Sequence, residues 1–408
     1  MSRPTVVLVG TLDTKGVEYD YLRGRLEAAG VAALVVDVGT QGSPRTAADV
    51  SREEVAAAGG LDLAALTDRG VAVEAMCAAA PVVVRRLFDE GRCQGVLAAG
   101  GSGNTAIATA AMRALPVGVP KLVVSTMAGG DTSAYVDVSD VTLMPAVTDV
   151  AGLNSISARI LANAAAAMAG MVTAAPVELG ESRPVVAATM FGVTTPAVTT
   201  AREELERRGY EVLVFHATGT GGRSMESLVE AGFVAGVLDV TTTELADDLV
   251  GGVLSAGPHR LEAAGAKGVP QVVSLGALDM VNFGSRESVP AGFAGRNLYV
   301  HNPSVTLMRT TAEECAELGR RVGAKLSAAT GPVALFVPLR GVSAISVEGG
   351  PFFDAEADAA LLAGLRETLH PSVEVHEVDA DVNDPAFAVA MAARLDEFLI
   401  GQQGKDTA

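Results

Sequence analysis

Gly95-Val96-Leu97-Ala98-Ala99-Gly100-Gly101-Ser102-Gly103-Asn104-Thr105 is the stretch that decides the fold. Its first half is apolar without alternation, the mark of a strand buried on both faces of a parallel sheet. Its second half is glycine and small polar residues, followed at once by a helical pattern. Glycines let the backbone come close to a ligand, and a helix start offers unpaired N–H donors at a positive dipole end.

The same alternation of strand, polar turn and helix runs through the chain. Strands are expected at 5–10, 32–39, 95–100 and 121–127, then at 185–190, 210–216, 234–240, 271–275, 297–301, 333–338 and 373–378. Helices are expected at 201–208, 224–230, 241–250, 312–328, 355–369 and 385–399. The two halves match in the order of their strand ends. Thr5-Val6-Val7-Leu8-Val9-Gly10 parallels Pro184-Val185-Val186-Ala187-Ala188-Thr189, and Gly95-Val96-Leu97-Ala98-Ala99-Gly100 parallels Gly236-Val237-Leu238-Asp239-Val240-Thr241. The expected fold is α/β: two doubly wound, Rossmann-like parallel-sheet domains that look like copies of one another, with a cleft between them. The domains are placed at 1–178 and 179–408.

Composition bounds the function. The chain has 408 residues, 49% hydrophobic and 19% charged, with a formal charge of −18. Such a chain buries a large core and lacks the basic face that nucleic acid requires. Three cysteines without C-x-x-C spacing argue against a disulfide framework or a zinc site. The apolar run after Met1 is short and opens onto Gly10, so it reads as a strand. The stretch 160–177, mostly alanine and broken by Asn163, reads as a buried helix and not a membrane span. The expected protein is cytoplasmic.

Ligands of open parallel sheets bind beyond the carboxyl ends of the strands. In the first domain four turns meet there. They supply Thr11, Asp13 and Lys15; Asp37; Gly100, Gly101, Ser102, Gly103, Asn104 and Thr105; and Ser125 and Thr126. Phosphate contacts are assigned to the Gly100 to Thr105 turn, charge neutralisation to Lys15, and Mg²⁺ or hydroxyl contact to Asp13. In the second domain His216, Glu244 and His301 are the candidate proton-handling groups. Thr218, Gly221, Thr242, Thr243, Asp279, Asn282, Arg309 and Arg340 are candidate substrate contacts, the arginines for a carboxylate.

Several of these stretches also carry a family resemblance. Gly10-Thr11-Leu12-Asp13-Thr14-Lys15-Gly16, the Gly100 to Thr105 turn, Thr189-Met190-Phe191-Gly192-Val193-Thr194-Thr195 and Ala277-Leu278-Asp279-Met280-Val281-Asn282-Phe283 are the main ones. With Ser125-Thr126-Met127-Ala128, Thr241-Thr242-Thr243-Glu244 and the segments 215–222 and 301–311, they are spread along the chain, and the resemblance covers nearly all of it. It resembles the Tm-one-like ATP-binding proteins, relatives of the N-terminal part of a tomato mosaic virus resistance protein. The resemblance implies two Rossmann-like subdomains, ATP binding and self-association as a homo-oligomer, without a settled reaction. The expectation is an ATP-binding protein, with Mg²⁺, that acts on a small carboxylate or oxo-acid in the interdomain cleft. The alternatives are an ATP-independent hydrolase or acyl-transfer enzyme on a small oxo-acid, and a nucleotide-gated binding protein without catalysis.

Overall fold

The computed structural model describes residues 3–66, 68–175 and 183–406. The chain divides into two compact units, Met1–Glu178 and Leu179–Ala408. The expected boundary at 178/179 lies outside the described residues.

The first unit runs β1 (Thr5–Gly10), α1 (Leu12–Ala28), β2 (Ala32–Asp37), α2 (Arg52–Ala58), α3 (Arg69–Asp89), β3 (Gly95–Gly100), α4 (Ser102–Arg113), β4 (Lys121–Ser125), α5 (Ser133–Val136), β5 (Thr142–Pro145) and α6 (Ser157–Thr173). Its sheet is parallel throughout, in the order β2-β1-β3-β4-β5. Successive side chains of a strand point to opposite faces. Val7, Val9, Val96, Ala98 and Val123 therefore pack with Met76, Val83, Ile107 and Met112 of α3 and α4. Val6, Leu8, Leu97, Leu122 and Val124 pack on the other side with Tyr19 and Leu22 of α1 and Leu161 and Met168 of α6. Full burial on both faces is why these strands read as unbroken apolar runs.

The second unit runs β6 (Val185–Met190), α7 (Thr195–Arg207), β7 (Glu211–His216), α8 (Thr220–Glu230), β8 (Gly236–Thr241), α9 (Glu244–Val250), α10 (Ala263–Lys267), β9 (Gln271–Gly276), β10 (Met280–Phe283), β11 (Leu298–Asn302), β12 (Val305–Arg309), α11 (Ala312–Ser327), β13 (Val333–Pro338), α12 (Ala355–Thr368), β14 (Glu374–Val378) and α13 (Pro385–Asp406). Six parallel strands lie in the order β14-β13-β9-β8-β6-β7. From its edge strand β7 through β6, β8, β9 and β13, this sheet repeats the connectivity of the first. An antiparallel three-stranded sheet, β10-β12-β11, is inserted between β9 and β13.

Three strands escape a sequence reading. β5 is an edge strand whose residues are half-buried or exposed, so it lacks the apolar run that betrays its neighbours. β10 and β12 are short and carry Asn282 and Arg309 inside them. Asn282 thus lies on a strand and not in a loop, and Asp279 lies in the turn between β9 and β10. The helix expected at 160–177 is α6. Among the described residues no helix is long and apolar enough to cross a membrane.

Candidate functional site

In a sheet of order 2-1-3-4-5 the chain changes direction between strands 1 and 3, and a crevice opens beyond their carboxyl ends. In the first unit that place holds a cavity of about 290 Å³ lined by Thr11, Asp13, Thr14, Lys15, Thr40, Gln41, Arg69, Val73, Gly101, Ser102, Gly103, Asn104 and Asp149. Two helices begin there. Neither Thr11 before α1 nor Gly101 before α4 caps its helix with a side chain. The first turn of α4 therefore brings N–H donors and a positive dipole end to the cavity wall.

The side chains divide into those that build this wall and those that face the cavity. Asn104 is buried; its Oδ1 accepts the Thr11 N–H at 2.9 Å, while its Nδ2 donates to Tyr19 Oη and Ala99 O, both at 3.2 Å. Thr105 Oγ1 donates to Gly101 O and pairs with Ser125 Oγ at 2.7 Å beneath the turn. Asp37 is 1% exposed, and its Oδ1 accepts from Leu12 N and Gly39 N at 3.1 and 2.8 Å. Burial raises its pKa against those hydrogen bonds, and nearby Asp13 raises it further. Asn104, Thr105, Ser125 and Asp37 are thus spent on structure, and Asn104 offers a ligand only its backbone. Gly100 is built into the same turn: a Cβ there would come within 2.7 Å of Asn104 Cβ. Thr126 is exposed beside Gly101 and is not among the lining residues.

Lys15, Ser102 and Gly103 remain open to the cavity, and Asp13 is buried in its wall. Asp13 Oδ2 accepts from Gln41 N at 2.9 Å, but its Oδ1 is buried with no partner. An unpaired buried carboxylate oxygen is costly and calls for a donor or a cation. No group of three or more His, Cys, Asp or Glu side chains suited to a metal occurs among the described residues, and the lining carries two carboxylates, Asp13 and Asp149. Lys15 and Arg69 supply the positive side chains. Thr14, Thr40, Gln41, Arg69 and Asp149 were not assigned from sequence. Thr40 and Gln41 follow β2 and carry the signal of a strand-end turn; Arg69 arrives from α3 with none.

At the corresponding strand ends of the second unit the polar side chains pair with one another. Thr194 Oγ1 and Thr241 Oγ1 meet at 2.7 Å, and Thr189 Oγ1 donates to Asp239 Oδ1 at 2.6 Å. Arg260, 1% exposed, lies against Asp239, Glu244 and Glu226. Glu244 Oε1 also accepts Gly219 N and Gly222 N, at 2.7 and 3.0 Å. It is fully buried, which takes it out of reach of a substrate. His216 is exposed and edge-on to Phe191; His301 is exposed near Tyr299. Among the described residues no hydrogen bond joins His216, Glu244 and His301.

The candidate substrate contacts are mostly turned inward. Thr242 Oγ1 donates to Ser274 O at 3.2 Å and Thr243 Oγ1 to Met280 O at 3.5 Å. Three threonines in a row serve burial here, not capping. Arg309 is buried and its donors go to Phe352 O, Thr310 Oγ1 and Asp358 Oδ1. Arg340 is exposed and forks onto Asp379 with two contacts of 2.6 Å. Thr218 Oγ1 bonds His216 O, and Gly221 is packed so closely on His216 O that a Cβ would reach 1.9 Å. Asp279 accepts from Ser343 Oγ at 2.8 Å, and Asn282 donates to Asp247 at 2.6 Å. Burial pushes both Asp279 and Asp247 up to about 6. Burial also raises the three thiols, leaving no activated thiolate.

Comparison with known proteins agrees with this two-unit division. Residues 4–176 match the family described as "Uncharacterised protein family (UPF0261) N-terminal domain", and residues 183–399 match its C-terminal domain. A "UPF0261 protein" of Clostridium tetani is 50% identical over 394 residues, covering 96% of this chain and 98% of that protein. A second, from Rhizobium meliloti, is 50% identical and covers 95% and 97%. The "ToMV resistance protein Tm-1(GCR237)" of Solanum lycopersicum is 39% identical over 97% of this chain and 55% of its own length. The chain belongs to the UPF0261 family, and the tomato Tm-1 proteins are its homologues.

Proposed function

We propose that the first unit binds the phosphates of a nucleotide, ATP with Mg²⁺, in the cavity between the ends of β1 and β3. The observation that carries this reading is the meeting of the uncapped first turn of α4 with the start of α1, Lys15 and Arg69 around one open cavity. Backbone N–H groups at a helix start hold phosphate oxygens, and the cations offset the remaining charge. Asp13 Oδ1 fits the metal that travels with such phosphates, because Mg²⁺ takes one or two carboxylates and keeps waters and phosphate oxygens as its other ligands. When bound, Mg²⁺ neutralises phosphate charge. The protein's own residues bind and orient.

The second unit supports no proton-handling set around Glu244. The favoured reading is therefore nucleotide binding, with no reaction assigned. Isothermal titration calorimetry with ATP and Mg²⁺ tests it on the wild type and on Gly103→Glu. A Cβ at Gly103 meets only Val73 Cγ2, at 3.8 Å, so the variant folds and carries a negative charge into the cavity. The expected result is heat from the wild type and about a 100-fold loss in the variant, or some 3 kcal/mol. No heat from the wild type refutes the reading.

A further inference from the structure

The phosphate cavity has a neighbour. A second cavity, of about 510 Å³, is lined by Thr40, Gln41, Arg52, Glu53, Ala57, Leu61, Asp62 and Leu63. Thr40 and Gln41 line both. The segment they belong to is held from two sides: Asp13 accepts the Gln41 N–H, and Arg52 donates to the carbonyls of Gln41 and Gly42.

The two cavities differ in chemistry. The smaller is walled by the α4 N-terminus, hydroxyls, Lys15, Arg69, Asp13 and Asp149, so its cations balance its carboxylates before the helix end adds its positive field. The larger has an apolar wall of Ala57, Leu61 and Leu63. Its one cation, Arg52, is engaged by Glu53 at 2.9 Å and by the two carbonyls. Glu53 and Asp62 leave its lining with an excess of negative charge, which disfavours a second anionic group there. The space suits a neutral, partly apolar body with hydrogen-bond donors.

The usual sugar contact of such folds is closed. An acid at the end of the second strand commonly holds a ribose hydroxyl, but here Asp37 is buried and both its hydrogen bonds go to backbone N–H groups. Thr40 and Gln41 are the next polar groups along the same turn.

We infer that the larger cavity is the nucleoside subsite: the base lies against Ala57, Leu61 and Leu63, and the pentose crosses Thr40 and Gln41 toward the phosphates. This rests on the phosphate reading above and adds where the rest of the ligand goes. Ala57 is exposed on α2, so a larger side chain there fills the cavity without entering the core.

Calorimetry with Mg²⁺ compares ATP with inorganic tripolyphosphate, on the wild type and on Ala57→Phe. The expected result is ATP binding at least about 10-fold tighter than tripolyphosphate to the wild type, with Ala57→Phe erasing that advantage and holding tripolyphosphate within about twofold. Equal affinity of the wild type for both ligands overturns the subsite, as does unchanged ATP affinity in Ala57→Phe. Loss of tripolyphosphate binding in Ala57→Phe overturns the division between the two cavities. If the wild type binds neither ligand, the phosphate reading itself falls and takes the subsite with it.

Discussion

Arg260 Nε donates to Glu244 Oε2 at 2.6 Å, and neither side chain is exposed to solvent. Asp239 and Glu226 complete the shell around the guanidinium. Breaking a buried pair by removing one partner leaves a charge without compensation, which costs roughly 3–5 kcal/mol. Glu244→Gln leaves Arg260 two other carboxylates, whereas Arg260→Met strands three. Urea denaturation should therefore show Arg260→Met as the more damaging change, with Glu244→Gln at or below about 3 kcal/mol. The reverse order would mean that the cluster is not centred on the guanidinium.

The contrast between the two units explains what a sequence can show. The turn from Gly100 to Thr105 is legible because its backbone does the work, and glycine after an apolar strand advertises backbone exposure. The Thr241-Thr242-Thr243 run looks the same on paper, yet its hydroxyls point inward to Thr189, Ser274 and Met280. Local sequence does not say which way a hydroxyl turns. Arg69 and Arg260 were invisible for a related reason: each reaches its place from a separate element, so no spacing links it to the residues around it. Most of the parallel strands were legible because burial on both faces leaves a run dominated by apolar residues, and β5, β10 and β12 were not because each is only four or five residues long and broken by a polar residue or proline.

Asn104 ties the two turns of the phosphate cavity together. Asn104→Ala removes the acceptor of Thr11 N, while Tyr19 Oη keeps the Ala99 N–H and loses only its second donor. An unsatisfied buried polar group costs about 1–3 kcal/mol. Denaturant titration should show a loss in that range, and ATP affinity should fall along with it as the start of α1 drifts. Asn104→Asp keeps the acceptor but sets a carboxylate against the Ala99 carbonyl, and should be at least as damaging.

The buried acids Asp247 and Asp279 set a pH dependence of unusual sign. Burial lifts each to about 6 from an ordinary 3.8, so between these values the folded state holds more protons than the unfolded one. Stability then falls as pH rises through about 6 and is recovered on acidification. From pH 5 to 8 each group should remove roughly 1 kcal/mol. Asp279→Asn abolishes one share: its stability relative to wild type should improve by about that amount between pH 5 and 8. A wild type whose stability is flat or rising across this interval would contradict the assignment.

Val147, in the loop that follows β5, stands at φ +63° with 79% of its surface exposed. A β-branched residue in the left-handed region is strained, at a cost on the order of 1–2 kcal/mol. Thr148 N bonds back to Ala146 O at 2.7 Å across it, and Asp149 of the same loop lines the phosphate cavity. Strain of this kind persists where surrounding structure enforces it, often beside a ligand. The bond across it makes a three-residue turn, which glycine adopts without the Cβ strain, and no buried surface is lost by the exchange. Val147→Gly should therefore raise the unfolding free energy by up to about 1 kcal/mol in urea titration. A gain in stability without a gain in ATP affinity would show that the loop's conformation is already set in the free protein; destabilisation would show that the valine is held there by contacts worth more than the strain.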